Sequence, residues 1–215
     1  MRDTVNVTGM VLKASPVGEY DRRLVILTRE RGRITAFCRG CRRPSSSLMA
    51  ASRPFAFGHM DLYEGRDAYN LQSAEILSYF EELSEDMEGA CYGSYFLEFA
   101  DYYTRENVDE TEMLKLLYQS LRALSRPSLE HELVRRVFEL KAMVINGEYF
   151  PEPPMAVSDS AAYAWAFVLS SPPESLYTFR LKPEVLDEFA RCVEKNKDHY
   201  IDRRFHSLEI LKALL

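Results

Sequence analysis

Five short runs of strand-like sequence fill about the first 75 residues, and helical spacing takes over from Ser84 to the end of the chain. Val5–Ala14 is rich in β-branched residues, and Gly9 inside it predicts a bulge or bend. Pro16 and Gly18 make a turn. Arg23–Thr28 is a short apolar run, and Glu30-Arg31-Gly32 is a tight connection to a strand over Arg33–Arg39, so the pair reads as a hairpin. Pro44–Ser47 opens a polar loop that reaches roughly to Arg53. Phe55–Tyr63 is a fourth strand, Gly65–Asp67 a turn, and Ala68–Ser73 begins a fifth. Five strands this short and this close in sequence fit a small barrel of the oligonucleotide-binding (OB) type. The expected fold class is α+β in two parts: a five-stranded OB-fold β-barrel over residues 1–80, then an all-α helical domain over 81–215.

In the second part, Ser84 is placed to cap a helix that runs to about Tyr103, with Glu85 and Asp86 in its first turn. Asp109–Glu112 resembles a capping box, opening a helix that Arg126-Pro127 ends. Ser128 is placed to cap a third helix, and Asn146-Gly147 stops it. Pro151–Pro154 reads as a connector. A short helix over Ser160–Leu169 follows, then one with Pro183 in its first turn, then a final helix over Arg203–Leu214. Tyr92, Tyr95, Phe96, Phe99, Tyr102 and Tyr103 form a helical stripe that reads as bundle core and barrel–bundle contact; an exposed part of it would be a partner groove.

The stretch Arg31–Pro44, RGRITAFCRGCRRP, carries the chemistry. Read with period 2, it puts Arg33, Thr35, Phe37 and Arg39 on one strand face and Ile34, Ala36 and Cys38 on the other. One face is apolar enough to bury. The other alternates guanidinium groups with an aromatic ring, which suits a single-stranded nucleic acid: cations for the phosphates, and Phe37 for a base to stack on. From Arg31 to Arg53 there is no acidic residue, whereas solvated surfaces usually mix signs. The net charge of −6 is unevenly spread: residues 1–80 hold 12 Lys and Arg against 8 Asp and Glu, and the remainder hold 15 against 25. Arg22, Arg23, Arg29, Arg31, Arg33, Arg39, Arg42, Arg43 and Arg53 make up most of the basic part, and Lys13 is its only lysine. Arginine's planar fork suits phosphate and stacks on rings.

Other chemistries find less support. Cys38 and Cys41 have C-x-x-C spacing, but no second pair or clustered histidines follow to complete a zinc site, and serines follow where a redox motif needs a helix. They read as two reduced thiols, with Cys38 inward on a strand. His59, His131, His199 and His206 show no ligand spacing, and no G-x-S-x-G, P-loop or G-x-G-x-x-G is present. No catalytic residue, metal or cofactor is expected, and the chain is not expected to be an enzyme. It lacks a run of ~18 apolar residues, and MRDTVNVTG lacks a signal peptide's apolar segment, so a cytoplasmic protein is expected, with nucleoid association expected only of a DNA binder.

Gly9–Lys13, Gly18–Arg22, Leu27–Ile34, Arg39-Gly40, Arg42–Pro44, Pro54-Phe55 and Leu62–Gly65 together resemble the bacterial RecO DNA repair and recombination-mediator family. Tyr95–Glu98, Arg135–Lys141 and Arg204–Leu208 extend the resemblance more diffusely, so that it covers nearly the whole chain. It implies an OB domain joined to a helical domain, binding of single- and double-stranded DNA, and annealing of complementary strands. It also implies work with RecR to load the RecA recombinase on DNA coated by single-strand-binding protein, and a grip on that coating protein's acidic C-terminal tail. Phosphate and base contacts carry over to Lys13, Arg22, Arg31, Arg33, Arg39, Arg42 and Arg43. For the acidic tail, which wants a cationic rim beside an apolar groove, the candidates are Arg135, Arg136, Arg203, Arg204 and Lys212; the competing reading pairs them with nearby Glu and Asp. Many family members carry a four-cysteine zinc site after the third helix, but Ile145–Ser171 has no cysteine here. Two other functions suit an OB barrel: a protein-interaction scaffold, or a translation-linked RNA-binding protein.

Overall fold

Val5, Val7 and Val11 point from strand β1 (Thr4–Val17) into an apolar core, and so does Ala14. This change of parity comes from a bulge at Leu12. Val11 pairs with Ile26 and Lys13 with Val25, which leaves Leu12 as the extra residue. The sequence predicts the irregularity at Gly9, but Gly9 stays in register, opposite Thr28 on one side and Gly58 on the other. A Cβ there would lie 2.5 Å from the Leu27 carbonyl oxygen, so glycine serves a close backbone approach rather than a bend.

The core closes as a barrel. β2 (Asp21–Thr28) and β3 (Gly32–Cys38) form the expected hairpin; β4 (Phe57–Glu64) pairs with the first half of β1, and β5 (Tyr69–Ser78) pairs with β4. A short parallel contact between β3 and β5 completes the order β1-β2-β3-β5-β4. That is the five-stranded barrel expected from sequence, of OB type. β1 and β5 run longer than their apolar runs suggest; β1 pairs with β4 through its first half and with β2 through its second. A computed structural model of the chain describes residues 4–214, the side chains of Lys212 and Leu214 excepted.

The segment after β3 is not loop throughout. It contains one helical turn, α1 (Leu48–Ala51), with Ala51 buried. Beyond the barrel, a 3-10 turn over Glu81–Glu85 leads into α2 (Met87–Tyr103). Asp86 rather than Ser84 caps α2, its Oδ1 accepting from the Gly89 N–H at 3.0 Å. α3 (Thr111–Leu124) follows the Asp109 carboxylate, which accepts from the Thr111 N–H. α4 (His131–Ile145) starts at Glu130 with no side-chain cap, so Ser128 does not hold the place the sequence gives it. α5 (Asp159–Ser170) is capped by Ser158, α6 (Pro183–Tyr200) has Pro183 in its first turn, and α7 (His206–Leu214) begins later than the expected Arg203.

The described chain divides into two compact units. The first joins the barrel, up to Glu81, with Leu97–Leu114; the second comprises Glu82–Phe96 and the residues from Lys115 onward. Residues 97–114 pack with the barrel by completing the β3 edge. The Arg33 N–H donates to the Arg105 carbonyl, the Asn107 N–H donates to the Arg31 carbonyl, and Gly32 forms a bridge with Glu106. Gly32 has φ +66°, and a Cβ on it would lie 2.3 Å from the Arg105 oxygen. Gly32→Ala is therefore expected to destabilise the protein by about 1–3 kcal/mol, the usual range for a strained backbone site. Hydrogen exchange at Arg33 and Asn107 reads the result: unchanged protection at both would show that the edge tolerates the added methyl.

In the second unit, Tyr92, Tyr95 and Phe96 of the aromatic stripe are buried. Phe96 stacks on Phe138 with centroids 4.2 Å apart, and Trp165 meets Phe189 edge-on at 6.4 Å. The Trp165 indole N–H donates to the Phe150 carbonyl, so this large ring is buried with its polar edge satisfied.

Candidate nucleic-acid interface

The alternation in β2 and β3 sends Leu24, Ile26, Ile34, Ala36 and Cys38 into the barrel. It leaves Arg23, Val25, Thr35 and Phe37 on the outer face. The strand register lines these up. Lys13, Val25 and Thr35 form one row across β1, β2 and β3; the next row toward the β1–β2 turn is Ser15, Arg23 and Phe37, with Asn70 of β5 beyond. Lys13 and Arg23 are exposed, and Phe37 is half-buried. The row on the other side, Met10, Leu27 and Arg33, is different. Met10 and Leu27 are fully buried there. Arg33 donates from Nε to the Thr104 carbonyl at 3.0 Å and from Nη1 to Asp101 Oδ1 at 3.1 Å.

The candidate residues therefore separate. Arg31 and Arg33 sit at the β2–β3 turn, bordered by residues 101–107. Arg39, Arg42 and Arg43 sit at the opposite end, about 24 Å away along β2 at the usual strand rise. There, two loops are joined. The Arg42 N–H donates to the Tyr20 carbonyl, Arg42 Nη1 to the Gly18 carbonyl, and the Gly40 N–H to Asp21 Oδ1. The Arg43 guanidinium lies over the Tyr20 ring, 5.0 Å from its centroid. Arg39, Arg42 and Arg43 are all exposed. Arg53 is exposed nearby in sequence, just after α1.

Arg22 has another task. Its Nη1 donates to the carbonyls of Met49 and Ser52 and to Ser52 Oγ, so it closes the C-terminal end of α1 against the barrel. Its guanidinium is half-buried and already bonded. Cys38 faces inward as the alternation predicts, and Cys41 is buried beside it, with its Sγ donating to the Cys38 carbonyl. Burial, then the contact with Cys41, pushes the Cys38 thiol up to about 12. Cys38 is therefore a packed thiol rather than a thiolate ligand at neutral pH. Among the described residues, no group of three or more His, Cys, Asp or Glu is placed to hold a metal ion.

In the helical unit, Arg135 and Arg136 pair with Glu132 and Glu139 on their own helix, as the competing reading of the sequence has it, and α6 adds Glu194 and Lys197 to the network. Glu139 is fully buried at its centre. It accepts from Arg135 Nε at 3.1 Å, Arg136 Nη1 at 3.0 Å, Lys197 Nζ at 3.3 Å and the Tyr95 hydroxyl at 2.6 Å. Glu132 and Glu194 complete it, each pairing with Arg136. Burial alone would raise the Glu139 carboxyl, but Arg136, Arg135 and Lys197 together hold it well below the usual carboxylate range. Three cations thus face three carboxylates, and the guanidinium groups of Arg135 and Arg136 are held by partners within the chain. Arg203 and Arg204 are exposed in the segment before α7, and the side chain of Lys212 lies outside the described residues.

Sequence reasoning leaves two neighbours of these side chains out of the candidate site. Arg23 belongs to the basic run and shares a row with Phe37. Tyr20, in a turn beside Gly18 and Glu19, is brought against Arg43 only by folding.

A closed β1-β2-β3-β5-β4 barrel with an arginine-rich loop surface, followed by helices, defines an OB-fold protein with an appended helical region. The family model described as Recombination protein O N terminal matches residues 1–80, and that described as Recombination protein O C terminal matches residues 84–152. The chain belongs to the RecO family. It is 23% identical to the DNA repair protein RecO of Acetivibrio thermocellus, with 98% of this chain and 97% of that protein covered. It is 34% identical to the DNA repair protein RecO of Alkaliphilus metalliredigens and 33% identical to that of Caldicellulosiruptor bescii. Those two alignments each cover 66% of this chain and 58% of the relative. Among the described residues, no helix is long and apolar enough to cross a membrane.

Proposed function

We propose that this protein serves DNA repair as a strand-annealing recombination mediator. One observation carries the reading: Arg39, Arg42 and Arg43 stand exposed on the loop after β3, which is joined to the β1–β2 turn, at the end of the face that carries Lys13, Arg23 and Phe37. Annealing makes and breaks no covalent bond. Two strands repel through their phosphates, and a surface that neutralises some of those charges lets base pairing proceed. The arginines supply the neutralisation, and Phe37 offers a ring to an unpaired base. Single- and double-stranded DNA both present the phosphates this surface takes.

Family membership supports the wider role. In this reading the protein works with RecR to load RecA on DNA coated by single-strand-binding protein, and grips the acidic C-terminal tail of that coating protein. Arg203, whose guanidinium lies over the Phe205 ring, and Arg204 are exposed cations that suit the tail, whereas Arg135 and Arg136 are buried among carboxylates.

The test is fluorescence anisotropy with a labelled ~30-mer of single-stranded DNA across a salt series, joined to an annealing assay with its complement. Binding whose log K falls linearly with log salt, together with faster annealing, is expected. Absence of binding at low salt would leave the barrel surface to a protein ligand instead.

A further inference from the structure

Tyr20 is an exposed aromatic ring at the tip of the β1–β2 turn, with 39% of the residue open to solvent. Single exposed apolar residues are common and need no explanation by themselves. Tyr20 differs because the structure fixes it. Its carbonyl accepts from the Arg42 N–H, and its ring is backed by the Arg43 guanidinium. The turn around it is held to the Gly40–Arg43 loop by the Asp21 carboxylate and the Gly18 carbonyl. A ring fixed before binding loses little entropy when a ligand stacks on it.

The charges around the ring define the kind of ligand. The neighbouring Glu19 carboxylate raises the Tyr20 phenol above its ordinary value. A phosphate placed at that edge would meet a carboxylate. The ring itself offers a flat, neutral surface, and the cations lie beside it on Arg42 and Arg43. Phosphates therefore go to the arginines, and the ring suits a base. In a duplex, the faces of the bases are already stacked on their neighbours; in a single strand they are free.

We infer that Tyr20, backed by Arg43, is a stacking platform for an unpaired base, and that it gives the β1–β2 turn a preference for single strands carrying bases over a bare sugar-phosphate chain. The inference rests on the strand-binding reading above and assigns base recognition to a residue outside the barrel's strand face.

The experiment compares a labelled oligothymidylate with an abasic oligonucleotide of equal length and charge, by anisotropy at one fixed salt concentration. Wild type is expected to bind the thymidylate about tenfold more tightly, which is within the range for one stacked base. Tyr20→Ala should remove most of the preference for the thymidylate, leaving only the share that Phe37 carries, and Tyr20→Phe should keep the preference because the ring is retained. A preference undiminished in Tyr20→Ala, absent from wild type, or abolished by Phe37→Ala alone overturns the platform while leaving strand binding in place. Wild type that binds neither oligonucleotide overturns the strand-binding reading itself.

Discussion

Glu139→Gln is expected to lower the melting temperature by about 10 °C, which corresponds to roughly 3–5 kcal/mol for a buried ion-pair network that loses one partner. Glu139 is fully buried and accepts from two arginines, a lysine and a tyrosine. Glutamine keeps the shape and removes the charge, so Arg135, Arg136 and Lys197 are left with less compensation in a site from which water is largely excluded. The pH dependence has a definite sign. The folded carboxyl is held below its unfolded value, so its stabilisation is fully present above the unfolded pKa of about 4.3 and is lost as pH falls toward the depressed folded value. The melting difference between wild type and Glu139→Gln should therefore be constant from pH 6 to 8 and shrink on acidification below about pH 4.5. Thermal scans at several pH values measure this. A variant within about 2 °C of wild type at neutral pH would show that the network contributes little net stability.

The second large effect is electrostatic. Alanine at Arg39, Arg42 and Arg43 together should make the slope of log K against log salt shallower by about 2, at ~0.7 per phosphate on a single strand. Extrapolated from 1 M salt, that is about fiftyfold weaker binding at 0.15 M. The three side chains are exposed, so the barrel should remain folded, and circular dichroism checks this. Arg33→Ala provides the contrast. Its guanidinium is bonded to Asp101 and the Thr104 carbonyl, so its loss should move the slope by clearly less than one phosphate's share. Equal slopes for the triple variant and wild type, or a full share lost with Arg33→Ala, would place the phosphates elsewhere on the molecule.

Arg33 and Arg39 show where local pattern stops being informative. Period 2 put both on one strand face; the structure keeps Arg33 on the outer face of β3, with Ile34, Ala36 and Cys38 inward, but ends the strand at Cys38, so Arg39 lies in the turn that follows. That much follows from pleat geometry and needs no knowledge of the rest of the chain. Which of the two stays exposed depends on Asp101 and Thr104, far along the sequence. Arg22 is bonded to Met49 and Ser52 by the same kind of distant meeting, and Arg136 is paired with Glu194 on another helix.

The sequence by itself determined the strand count, the two-part α+β organisation, the outward face of β3 and the acid-free arginine run. Each rests on interactions between near neighbours, where alternation, turn residues and helix spacing act directly. Only the tertiary structure decided which cations face solvent, that the barrel takes in residues 97–114, that the β1 bulge falls at Leu12 and that Tyr20 meets Arg43. A guanidinium bonds the nearest acceptor in space, and a bulge falls where two strands must keep register around a closed barrel. Both are fixed by residues that sequence distance keeps apart and folding brings together.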